Sequence, residues 1–132
     1  MLHTINDYLS VPYVNEGRDM SGFDCWGQTR HRQHYGYGNP LFESFGHINP
    51  DDKYSLTNAY FQIVNQFVLC EPKPGAVVCG FKMGNLIHIG TVEHIDGQLA
   101  VLHTSRKKGP SIVSVDDFKR LFIEVKFYEY VG

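Results

Sequence analysis

The chain has 132 residues and a formal net charge of −2 with no long run of like charge. That is enough for one domain, residues 1–132, and not two, and the balance points away from nucleic acid and from a polybasic membrane surface. Its three cysteines, at 25, 70 and 79, are odd in number and irregular in spacing, which argues against a disulfide framework and fits a reducing compartment.

No Cys-x-x-Cys pair is present, which speaks against structural zinc. The stretch Met1-Leu2-His3-Thr4-Ile5-Asn6-Asp7 has neither the basic nor the apolar region of a signal peptide, and no stretch is long and apolar enough to insert in a membrane. The expectation is synthesis in the cytoplasm, with any outside action depending on delivery by something else.

In chain order, residues 3–10 predict a short helix with Ile5, Tyr8 and Leu9 on one side, ended by Pro12. Residues 13–24 hold Gly17, Ser21, Gly22 and two aspartates and read as a loop. Residues 25–35 have helical length but only Trp26 and Tyr35 as large apolar residues, so His31 and His34 are expected on a solvated face. Gly27 weakens that helix but lets another backbone approach its first turn. Residues 36–50, rich in Gly, Pro and aromatics, read as an irregular loop packed onto the body.

Asp51 and Asp52 open a second helix. Leu56, Ala59, Tyr60, Ile63, Val64 and Phe67 follow at spacings of three and four, and the helix is expected to end near Cys70, before Pro72 and Pro74. Then come short β-rich runs, Ala76–Phe81, Ile87–Ile95, Gln98–Thr104 and Ser111–Val115, a helical turn over 115–121, and a last strand over 122–131. Helices first and antiparallel strands after is the α+β pattern, with N-terminal helices on a sheet of about five strands.

Chemistry centres on Gly22-Phe23-Asp24-Cys25-Trp26-Gly27. Asp24 can cap the helix that follows, which puts Cys25 at its positive end, a place that lowers a thiol pKa. The alternative for a lone cysteine is a buried, inert small hydrophobe; Cys70 and Cys79 are read that way. A nucleophilic thiol needs a histidine near it in space. Of seven histidines, the hairpin at Asp96-Gly97 selects two. A two-residue type I′ turn pairs Ile95 with Gln98, Val92 with Val101 and Gly90 with His103. His88, Gly90, Val92 and His94 then share a face with Leu99, Val101 and His103, so His88 and His103 become diagonal neighbours, with Gly90 leaving room between them. His94 reads as a half-exposed strand residue, and His3 and His47 lie near the terminus and in a loop. A metal site from His88, His94 and His103 lacks a carboxylate or cysteine at familiar spacing; no metal or other cofactor is expected.

Five segments, in order, then carry a resemblance: Pro12-Tyr13-Val14, Ser21-Gly22-Phe23-Asp24-Cys25-Trp26-Gly27, Pro74-Gly75-Ala76-Val77-Val78, His88-Ile89-Gly90-Thr91-Val92, and Val101-Leu102-His103-Thr104. Over roughly residues 8–122 the chain resembles the NlpC-type family of papain-like cell-wall peptidases. The tryptophan after the cysteine makes it look most like the phage tail-associated branch. The resemblance implies a papain-like α+β fold, with Cys25 as nucleophile, His88 as general base and His103 orienting His88. It implies Tyr13 and Asp24 at the substrate, with Trp26 in the place of a serine that commonly contacts substrate. It also implies the peptidoglycan stem peptide as substrate, phage tail proteins as partners, and delivery as a virion component. The chain departs from the common pattern at Trp26, at Gln28-Thr29, at Pro74-Gly75-Ala76 and at Asn15-Glu16-Gly17, all of which bear on the substrate pocket. Two other readings follow from the same residues: a tail-assembly or interaction protein with little or no catalysis, and an amidase or transferase acting on another substrate.

Overall fold

The computed structural model describes residues 3–46, 52 and 54–132; His47 and Asp51 lie outside them. Helix α1 (Ile5–Leu9) starts at Thr4, whose hydroxyl accepts from Asp7 N while the Asp7 carboxylate accepts from Thr4 N. Such a reciprocal cap satisfies two otherwise orphaned donors. The stretch read as a loop contains a small hairpin, β1 (Arg18–Asp19) and β2 (Gly22–Phe23). Helix α2 runs Cys25–Tyr37 and stops at Gly38, which has a φ of 75°, the left-handed stop that glycine adopts without strain.

Helix α3 (Ser55–Ile63) is shorter than its periodicity predicts. Asp52 lies outside it. At the other end a 3-10 turn (Val64–Gln66) leads into strand β3 (Phe67–Leu69), where the sequence predicts helix. Apolar residues at 67–69 serve a strand as well as a helix, and pairing with the last strand decides the matter. Strands β4 (Val77–Lys82), β5 (Asn85–Ile95), β6 (Gln98–Ser105) and β7 (Gly109–Ser114) follow, then α4 (Val115–Lys119) and β8 (Glu124–Tyr130).

Among the described residues the main sheet has six strands, not about five, in the order β3-β8-β4-β5-β6-β7, antiparallel throughout. The β5–β6 turn has φ of 51° at Asp96 and 80° at Gly97, as a type I′ turn requires. Its register is the predicted one, from Ile95↔Gln98 through Val92↔Val101 to Thr91↔Leu102. Between β4 and β5 the register slips after Gly80↔His88, so that Phe81 pairs with Leu86 and Ile87 is the extra residue.

The two faces of the sheet are covered differently. On one, Val77, Cys79, Leu86 and Ile89 pack with Cys25, Trp26, Leu56 and Ala59; Leu102 packs with Tyr8 and Phe23. On the other, Val78, Val92, Val101 and Phe127 pack with Val115 and Phe118 of α4. Helix α2 reaches the sheet with a polar face. Gln28, Thr29 and Gln33 are buried, and Arg32 holds Glu93 of β5 through two hydrogen bonds of 2.8 and 2.9 Å. His31, expected in solvent, is buried against Tyr8, whose hydroxyl lies 2.7 Å from its Nδ1. His34 donates from Nδ1 to the Asn39 carbonyl at 2.7 Å. The loop aromatics Phe42 and Phe45 are buried against Trp26, as the packing of that loop predicts.

Candidate active site

Asp24 caps α2 by accepting from Gly27 N at 2.8 Å, so Cys25 is the first residue of the helix. The close approach foreseen at Gly27 is real: a Cβ there would lie 1.9 Å from the Gly17 carbonyl oxygen. This holds the β1–β2 hairpin against the turn that carries the thiol. Cys25 is only 2% exposed.

Its pKa moves opposite to the helix-end expectation. Burial, and next the Asp24 carboxylate, push it up to about 12, while hydrogen bonds from the backbone of Ile89 and Trp26 pull the other way. A thiolate taken out of water loses more than a helix terminus returns. Cys79 is likewise raised by burial, and so is Cys70, which keeps part of its surface accessible. With all three thiols protonated, access ranks their reactivity. Against the expectation from its helix-start position that Cys25 is the most reactive thiol, brief iodoacetamide treatment of the folded chain should modify Cys70 ahead of Cys25 and Cys79; peptide mapping that finds Cys25 first would contradict this burial and bear out the helix-start expectation.

His88 and His103 meet. His88 Nε2 and His103 Nδ1 are 2.9 Å apart, with the rings edge-on at 83°. Gly90 makes this possible, since a Cβ there would come within 3.1 Å of His103 Cβ and 2.8 Å of the Leu102 carbonyl oxygen. Phe118 and Phe122 stack on the His88 ring, each at 5.9 Å. The remaining His103 nitrogen, Nε2, lies 3.2 Å from Ser111 Oγ on β7. Burial, and then His103, lower the His88 pKa from 6.5 to about 3; burial, and then Lys108, lower that of His103 to about 4.

These shifts carry a stability prediction. Between the folded values and 6.5 the unfolded chain binds more protons than the folded one, so stability is lost as pH falls through that window. His31, lowered to about 4 chiefly by burial, adds in the same direction. Thermal midpoints should drop steadily from about pH 6.5 to pH 4, with a shallower slope in a His88→Gln, His103→Asn double variant. A midpoint flat over that range would contradict imidazoles held neutral in the folded chain.

The thiol does not join the pair. Ile89, whose backbone bonds the sulfur, packs with Cys25 on the α2–α3 side, whereas His88, its neighbour in β5, stacks on the aromatics of the α4 side. Successive strand residues face opposite ways. Among the described residues no hydrogen bond links Cys25 to His88.

The three expected substrate contacts separate as well. Asp24 is fully buried. Its Oδ1 accepts from Arg18 at 2.6 Å and from Gly27 N, and its Oδ2 from Glu16 N at 3.1 Å. It organises the helix start and has no face left for a substrate. Trp26 is 5% exposed and donates from Nε1 to the Glu43 carbonyl at 3.0 Å, so it anchors the loop. Tyr13 keeps an accessible ring, with the Arg106 guanidinium 6.0 Å from its centre and Asn15 Oδ1 accepting from its hydroxyl at 3.0 Å. Among the described residues no group of three or more His, Cys, Asp or Glu is placed to hold a metal ion.

No protein-family model matches the chain, and no curated protein does. A solved structure does: the crystal structure of the NlpC/p60 domain of the peptidoglycan hydrolase SagA, at a TM-score of 0.57 and 17% identity, over 96% of this chain and 92% of that one. The fold is that of an NlpC/p60 domain. The papain-like α+β expectation is therefore met across nearly the whole chain.

Two participants were not singled out from the sequence. Arg18, which ties Asp24 to the carbonyls of Gly17, Ser44 and Phe45, sits in a segment without periodicity and gave no signal. Ser111 did give one, because closing the turn before Gly109 as a hairpin puts it opposite His103.

Proposed function

We propose that this chain is a cysteine hydrolase of the peptide part of peptidoglycan, with Cys25 as nucleophile, His88 as general base and His103 as the group that orients it. The observation that carries the reading is the 2.9 Å hydrogen bond between His88 Nε2 and His103 Nδ1. It engages Nε2 and leaves Nδ1 of His88 for the base role, in the strand residue next to Ile89, whose backbone bonds the sulfur. The fold shared with a peptidoglycan hydrolase domain supports the substrate class.

In the reaction, His88 Nδ1 takes the proton of Cys25 and the thiolate attacks an amide carbonyl, with the Cys25 backbone N–H donating to the oxyanion. The amine leaves with the proton held by His88. Water then adds to the thioester with His88 again as base, the acid departs, and the thiol is restored. The imidazole must reach the thiol's side of β5 for this. The wording Asp24-Cys25-Trp26 further supports action as part of a phage tail.

A second reading, a tail-assembly or interaction protein with little or no catalysis, is favoured by the burial of Cys25. Incubation with purified muropeptides separates the two. Products whose masses place the cut in the stem peptide support the hydrolase. Unchanged muropeptides, with chain that melts cooperatively, support the second.

A further inference from the structure

We propose that the β6–β7 turn, Arg106-Lys107-Lys108, is an anion-binding edge of the candidate site and seats a carboxylate of the bound stem peptide. The choice of ligand rests on the hydrolase reading; the placement of the charge does not. These are the only three consecutive residues of like charge in a chain whose net charge is −2, and all three are exposed. Other basic side chains are committed to carboxylates: Arg18 to Asp24, Arg32 to Glu93, Lys73 to Glu129 and Arg120 to Asp117. Among the described residues no ion pair holds Lys107 or Lys108.

The turn is short and its backbone is fixed. Ser105 pairs with Gly109, whose φ of 71° is the left-handed conformation on which a three-residue hairpin loop closes. Lys108 N donates to Ser105 Oγ at 3.2 Å. A loop ordered beforehand costs little further ordering when a ligand binds.

The turn also spans the two halves of the site. On one side the Arg106 guanidinium lies 6.0 Å from the centre of the Tyr13 ring, and Tyr13 bridges to Phe23, two residues before the thiol. On the other, the same hairpin pairs His103 with Ser111, and the charge of Lys108 adds to burial in lowering the His103 pKa. An anionic group on a peptide bound along Tyr13 and His103 meets these cations. Three are fewer than the roughly four to eight of a polybasic membrane patch. The stem peptide is acidic, so charge complementarity favours its carboxylates.

The test is calorimetric binding to the full chain carrying Cys25→Ala. The probes are a stem tetrapeptide with free carboxylates and the same peptide with every carboxyl amidated. The acid form should bind about fivefold more tightly, the upper end of what one exposed ion pair supplies, and the gap should close as salt is raised to about 1 M. Lys107→Gln with Lys108→Gln should bring the acid form down to the affinity of the amide, with the amide's affinity and the thermal midpoint unchanged. Lys107→Glu with Lys108→Glu should make the amide the tighter binder. Equal affinity for the two forms, or a preference that the lysine variants leave intact, overturns the proposal. So does binding to phosphatidylglycerol vesicles with neither peptide bound, which would make the turn a membrane contact. Cleavage of both forms at one rate by the wild type, with equal affinities, leaves the hydrolase reading standing and removes this one. A lysine-dependent preference in a chain that cleaves neither form does the reverse.

Discussion

Muropeptide cleavage should fall below detection in Cys25→Ala and in His88→Ala, and on the order of 10⁴-fold in His103→Ala. The ranking follows from what each group is asked to do. Without Cys25 there is no nucleophile to form the thioester. Without His88 nothing takes the thiol proton, and a thiol held at about 12 supplies almost no thiolate unaided. His103 only holds a tautomer and an orientation, and the documented cost of losing such a partner in a serine triad sets the scale. His103→Asn keeps a hydrogen-bond acceptor and should recover part of the loss. His88 also fills space against Phe118 and Phe122, so His88→Gln belongs beside His88→Ala to separate chemistry from packing. A His103→Ala variant with unchanged turnover would remove His103 from the mechanism.

Arg18→Met should destabilise the chain by about 3–5 kcal/mol. Its guanidinium meets the Asp24 carboxylate at 2.6 Å, with the two side chains 14% and 0% exposed. Removing one member of a buried pair leaves the other charged and unpaired, which is where most of the cost arises. The same guanidinium also donates to the Ser44 carbonyl at 2.7 Å and the Phe45 carbonyl at 3.0 Å, so the loop over Trp26 loses its tether too. For a domain of this size the thermal midpoint should fall by roughly 10 °C or more. Adding Asp24→Ser, which removes the orphaned charge while keeping an N-capping oxygen, should regain much of the loss. A single variant within about 1 kcal/mol of wild type would mean that the pair contributes little.

How much of this was legible depended on whether a residue's partner was local. Asp24 as cap, the Asp96-Gly97 turn and the meeting of His88 with His103 all follow from short-range rules, and the structure has them. Helix α2 misled because its buried face is polar. Burial through Arg32–Glu93 and through His31–Tyr8 leaves no apolar stripe to read, so His31 looked solvated. Strand β3 was hidden because Phe67–Leu69 continues the periodicity of α3, and only β8, some sixty residues later, makes it a strand.

The substrate roles given to Asp24 and Trp26 came from resemblance. Their burial depends on Arg18, on the Glu43 carbonyl and on a loop whose path no local pattern fixes. The Cys25 thiol shows the same limit. Its place at a helix start was readable, but its distance from water depends on Cys79 and Ile89 of the sheet and Trp26 beside it.

Catalysis by this chain requires Cys25 to form a bond to substrate. Muropeptides mixed with the chain and quenched in acid within one turnover should leave a protein heavier by the acyl half of the cleaved peptide. Peptide mapping should place that mass on Cys25, and no adduct should form in Cys25→Ala. Cleavage without any adduct, or an adduct on Cys70 or Cys79, would contradict it.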